Sequence, residues 1–90
     1  MTLESNVTLL ESVFLQEVDD EIILLETRSE EYFSLNETGG IFYTVLKDEA
    51  NLAKAMQELQ EYFDISEEQL QADLFAFVHA LEQKGLVILS

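Results

Sequence analysis

The sequence predicts an α+β fold, a three-stranded antiparallel sheet followed by three helices in a winged helix-turn-helix arrangement. Three observations carry that expectation. Residues 13–35 hold three short runs rich in β-branched and apolar residues, separated by polar turns. From Asn36 onward the apolar spacing becomes helical. Between the two regimes, Glu31-Tyr32-Phe33-Ser34-Leu35-Asn36-Glu37-Thr38-Gly39-Gly40 runs from an alternating strand straight into a capped helix without a loop. Strands that precede helices, instead of alternating with them, segregate into separate layers. The last strand therefore lies beside the helices and can leave one edge open.

The elements follow in order. Residues 1–11 form an N-terminal arm preceding a single domain over 12–90, and Val7, Leu9 and Leu10 within the arm can either extend a strand or pack. Val13 to Val18 and Ile22 to Leu25 read as the arms of a hairpin around the acidic turn Asp19, Asp20 and Glu21. A second turn at Thr27-Arg28-Ser29-Glu30 leads to a third strand, Tyr32 to Leu35. On it Phe33 and Leu35 share the core face, and Tyr32 and Ser34 share the other.

Asn36 is placed to cap a helix over 37–47, with Ile41, Phe42, Val45 and Leu46 at helical spacing. Asn51 caps a second helix whose apolar stripe is Leu52, Met56, Leu59 and Phe63, ending near Asp64. Ser66 and Gln69 have capping-box spacing at the start of the third helix. Leu70, Leu74, Phe77 and Leu81 form its core stripe, and Gly85 stands where a left-handed terminating residue belongs. Leu86 to Leu89 then make an apolar tail that covers the core or pairs as a strand.

Composition bounds function. Ninety residues, 48% of them hydrophobic, suffice for one modest core. Without cysteine there is neither a disulfide framework nor a thiolate metal site. No apolar run approaches the ~20 residues of a membrane span, and acidic Glu4 stands where a signal peptide carries basic residues, so a cytoplasmic protein is expected. Nineteen carboxylates against four cations give a net charge of -15, which repels a phosphate backbone. The third helix, which would read DNA in a winged helix-turn-helix, carries Glu67, Glu68, Asp73 and Glu82 against Lys84 at its far end. Such a helix is pushed out of a major groove.

Catalysis finds no support in the motifs. His79 is the single histidine, and the spacing gathers no carboxylates around it, so it reads as a polar-face residue. Ser66 is accounted for by capping. The neighbours Glu30-Glu31 and Glu67-Glu68 point apart and make no acid/base pair. Gly39-Gly40 has no phosphate-loop pattern and no lysine close behind. Neither an enzyme nor a cofactor or metal site is expected.

Ile22-Ile23-Leu24-Leu25, then Tyr32-Phe33-Ser34-Leu35-Asn36-Glu37-Thr38-Gly39, then Ala72-Asp73 through Leu81-Glu82-Gln83-Lys84-Gly85-Leu86 together resemble the PqqD-like family, also called the RiPP recognition element. The resemblance spans most of residues 13–89. It implies a non-catalytic chaperone that binds the leader of a ribosomally made precursor peptide and presents it to modifying enzymes. The leader is then added as a strand beside the third strand and held by the third helix. Free-standing members serve lasso peptide leader proteases or pyrroloquinoline quinone biosynthesis, and the proline-free chain with its Asn-Glu-Thr-Gly form sits with the lasso type.

Strand addition draws affinity from main-chain hydrogen bonds and specificity from side-chain pockets. The expected peptide-binding residues are Tyr32, Phe33, Ser34 and Leu35 on the strand and Gln71, Phe75, Val78 and Glu82 on the third helix. On a helical wheel Phe75 lies about 120° from the centre of the core stripe. It is either a groove wall or an exposed aromatic covered by the C-terminal tail. Two other classes remain open: an oligomerisation or scaffold module that buries Phe75 and the tail in a self-interface, and an acidic mimic that occupies a nucleic-acid-binding protein.

Overall fold

The computed structural model describes residues 1–19 and 21–90; of the expected acidic turn, Asp20 lies outside the described residues. The order is β1 (Val7–Leu9), β2 (Val13–Val18), β3 (Glu21–Glu26), β4 (Glu31–Leu35), α1 (Glu37–Asp48), α2 (Leu52–Leu59), α3 (Glu67–Gln83) and β5 (Val87–Leu89). The fold is α+β, with a three-stranded antiparallel meander β2-β3-β4 and three helices. A separate antiparallel pair joins β1 to β5, Val7 opposite Leu89. The tail thus pairs as a strand, and its partner comes from the first eleven residues.

Alternation decides which side of the meander is buried. The register places Leu15, Leu24 and Phe33 in one row and Glu17, Ile22 and Leu35 in the next. Leu24 is fully buried, while Val13, Leu15, Ile22, Phe33 and Leu35 pack partly against the core. That face lies under α1, whose Phe42, Tyr43, Val45 and Leu46 are buried. The Asn36 side chain accepts from the Gly39 amide at 2.7 Å, starting α1 immediately after β4. A Cβ on Gly40 would stand 2.5 Å from the Ile22 Cδ1, so glycine here lets the first helical turn lie directly on the sheet.

The helices differ from expectation in two places. The second ends at Leu59, short of Asp64, because the chain tightens: Glu61 and Tyr62 donate to the carbonyls three residues back, Glu58 and Leu59. This turn delivers Phe63 edge-on to Phe42, ring centroids 5.6 Å apart. On α3 the Ser66 hydroxyl accepts from the Gln69 amide at 3.1 Å, but the Gln69 side chain donates to Asp73 and does not close the box. The far end is a Schellman motif. Gly85 adopts φ +73, its amide donates to Glu82 and the Leu86 amide to Leu81.

Glu26 at the end of β3 is a buried carboxylate among otherwise apolar core residues. The Ser12 hydroxyl donates to it at 2.8 Å, the Arg28 amide at 2.6 Å and the Arg28 guanidinium at 3.2 Å. These donors, Ser12 foremost, hold its pKa below the ordinary 4.5 against the opposing effect of burial. A depressed folded pKa contributes stability above the unfolded value that is lost as pH falls through the folded one. Glu26→Gln is expected to lower the melting temperature at neutral pH, with the difference from the parent closing as pH drops below 4.5. Melting curves across a pH series check this; a gap that persists in acid would show that the carboxylate's charge is irrelevant.

Candidate functional site

The candidate site begins with β4. It is an edge strand, paired with β3 on one side and with no strand on the other among the described residues. Its sequence carries no proline and only one charge, Glu31, so nothing blunts the row of free amides and carbonyls. β2 is the other edge of the same sheet. What distinguishes β4 is the helix beside it.

Two contacts fix how α3 approaches. The Lys84 ammonium sits 5.2 Å from the centroid of the Phe33 ring, within cation–π range. Phe77 packs edge-on against Phe42, centroids 5.5 Å apart, and its Cε1 lies 3.2 Å from where a Cβ on Gly39 would be, just past the end of β4. The stripe Asp73, Phe77, Ala80 and Lys84 therefore forms the flank of α3 on the β4 side. Ala80 is exposed and small, leaving space for another backbone.

The helical wheel of the sequence reading requires correction here. Buried on α3 are Leu70, Leu74, Val78 and Leu81. Val78 is fully buried and faces the core, whereas Phe77, expected within it, is only half-buried. The buried stripe is thus rotated toward Val78, and Phe77 moves to the groove side. Phe75, two residues from Phe77, points about 160° away from it. Gln71, Phe75 and Glu82 consequently occupy the flank opposite β4, where Phe75 packs partly against the core.

On the strand, the four expected residues stand together but divide between two faces. Phe33 and Leu35 are half-buried on the inner face, and Tyr32 and Ser34 are exposed on the outer one. Tyr32, 67% exposed, neither packs under α1 nor lines the α3 side. Phe77, Ala80 and Lys84 were not selected by sequence reasoning. The one available signal was that Lys84 is the only cation on that helix or its cap.

Chemically, the arrangement offers an unpaired strand edge, an aromatic and aliphatic wall, and one ammonium in an otherwise acidic surface. Two surface hollows, about 570 and 420 Å³, lie against α1 and include no α3 residue, so neither is this groove. Among the described residues no group of histidine and carboxylate side chains is clustered to hold a metal. His79 is exposed on α3. No described helix is long and apolar enough to cross a membrane.

Comparison with known proteins places these features in a family. Comparison with the curated proteins finds no match. Two solved structures share the fold. "TbiB1 in Complex with the TbiA(beta) Leader Peptide" aligns with a TM-score of 0.81 at 22% identity, covering 89% of this chain and 93% of that one. "Lasso peptide synthetase B1 complexed with the leader peptide" aligns with a TM-score of 0.81 at 25% identity, covering 92% and 98%. The family model for coenzyme PQQ synthesis protein D (PqqD) matches residues 21–87, from the start of β3 to the start of β5. Because that match takes in the β4 edge, all three helices and the glycine-capped end of α3, the chain belongs to the PqqD family.

Proposed function

We propose that this chain is a non-catalytic RiPP recognition element: it binds the leader of a ribosomally synthesised precursor peptide and presents it to a modifying enzyme, a lasso peptide leader protease. The observation that carries the reading is the open β4 edge with the Phe77–Lys84 flank of α3 beside it. Two structures that share the fold are described as complexed with a leader peptide. The leader enters as a fourth strand. Its backbone pairs with residues 31–35, and every second side chain meets Phe33, Leu35, Phe77, Ala80 and Lys84. Tyr32 and Ser34 border the leader on the outer face. Val78 supports the wall from beneath, and Gln71, Phe75 and Glu82 lie behind it.

The meander beside the α2–α3 pair we take as a winged helix-turn-helix in which the wing serves a peptide and not DNA. Residues 12–90 form the binding domain, and 1–11 an arm laced to its end through β1 and β5. The absence of a long apolar helix among the described residues suits work in the cytoplasm. A second reading, chaperone of the precursor in quinone cofactor synthesis, is favoured by the name of the family. It uses the same groove.

Calorimetry separates the two. Titration with the leader of a lasso precursor from the same operon is expected to give one-to-one binding with a negative heat-capacity change from apolar burial. Tighter binding of a quinone-precursor peptide would support the second reading. Binding to duplex DNA and to neither peptide would overturn both.

A further inference from the structure

The meander carries large apolar side chains on both sides, and the core covers only one of them. Phe14, Leu25 and Tyr32 stand in one cross-strand row, Ile23 stands in the next between Gln16 and Ser34, and Val18 lies in the row beyond, opposite Glu21. None of Phe14, Val18, Ile23, Leu25 and Tyr32 packs against the core. Phe14 is 56% exposed, Val18 47% and Tyr32 67%. A sheet with one solvated face ordinarily carries polar residues there, and an apolar patch of this kind marks an interaction surface.

The surroundings of the patch select its occupant. Asp19 and Glu21 flank one end of the strands, and Glu30 and Glu31 flank the other. Arg28, the cation of the second turn, is turned toward Glu26 at 3.2 Å. A second copy of the chain would bring acidic turns against acidic turns, with a net charge of -15 on each partner. An anionic lipid surface meets the same repulsion. The complementary partner is a protein with an apolar contact surface flanked by lysine and arginine.

Position adds a second constraint, which rests on the leader-binding reading above. A strand added beside β4 extends the sheet, and alternation sends every second one of its side chains to the side of Tyr32 and Ser34. The leader then enlarges the apolar face. A partner seated there touches the chain and the leader together. We infer that this outer face, made of Phe14, Leu25 and Tyr32 and completed by the leader, is the docking surface for the modifying enzyme. The enzyme thereby distinguishes the loaded chaperone from the empty one. Thermodynamic linkage makes the effect mutual, so enzyme and leader raise each other's affinity by the same factor.

The test uses the full chain with the purified leader protease and leader peptide of the same operon. Phe14→Asp lies at the far strand from β4, at an exposed position, and is expected to leave leader affinity within about twofold. The same substitution is expected to weaken protease binding at least about tenfold. With the parent chain, saturating leader should strengthen protease binding several-fold. Phe14→Asp binding the protease as the parent does, no protease binding at all, or protease affinity indifferent to leader would each overturn the inference. A parent dimer dissolved by Phe14→Asp would assign the face to a second copy instead. Titration of leader alone reports separately on the groove, so failure there is not confused with failure of the outer face.

Discussion

Leu74→Ala is expected to destabilise the domain by about 2–5 kcal/mol, a large part of the ~5–15 kcal/mol that holds a small domain together. Leu74 is fully buried at the centre of the stripe Leu70, Leu74, Val78 and Leu81, on the helix that closes the core. The flanks of α3 resist collapse into the space left behind. Phe77 is held on one side against Phe42, and Phe75 packs on the other. A chain without cysteine has no cross-link to limit the loss. Urea unfolding should show the midpoint falling sharply with an unchanged slope. A shift of less than about 1 kcal/mol would mean that the helix slides to fill the cavity.

Phe33→Ala is expected to weaken leader binding by about 1–3 kcal/mol, and Phe75→Ala to leave it within about twofold. Both rings are half-buried, so their areas do not separate them. Their flanks do. Phe33 lies on the open strand under the Lys84 ammonium, while Phe75 is turned about 160° from the groove side of α3. Calorimetry on folded protein, at a temperature well below the midpoint of either variant, decides between them. Loss of binding in Phe75→Ala with retention in Phe33→Ala would put the leader on the opposite side of the helix.

The strands of the meander and the starts of the helices were legible because their signals are local. Runs of β-branched and apolar residues marked Val13 to Val18 and Ile22 to Leu25, and side-chain capping by Asn36, Asn51 and Ser66 needs only three residues of context. The end of α2 was not legible. Phe63 keeps helical spacing with Leu59, yet the chain tightens after Leu59 and sets Phe63 against Phe42, a contact distant in sequence. Which flank of α3 faces β4 was not legible for a related reason. A periodic stripe has two flanks, and the difference between Phe75 and Phe77 lies in which one meets the sheet, a fact that tertiary packing alone decides. Glu26 was invisible because a carboxylate in a strand ordinarily faces water; three converging donors keep this one inside.

The pairing of β1 with β5 bears on how the chain folds. The contacts of the meander are between neighbours in sequence, whereas Val7 meets Leu89 across nearly the whole chain. Closing so long a loop costs roughly 2–3 kcal/mol more than closing a hairpin turn, since each doubling of length adds about 0.6 kcal/mol. The terminal pair is therefore expected to form late, after the local hairpins and helices. Asn6 and Ser90 exchange amide bonds at 2.9 Å each, and the arm is tied to the start of α2 as well, Val7 donating to Ala50 and Leu52 to Ser5. Val7, Leu86 and Val87 belong to the same core cluster as Leu74 and Val78, so this late step also completes the core behind α3.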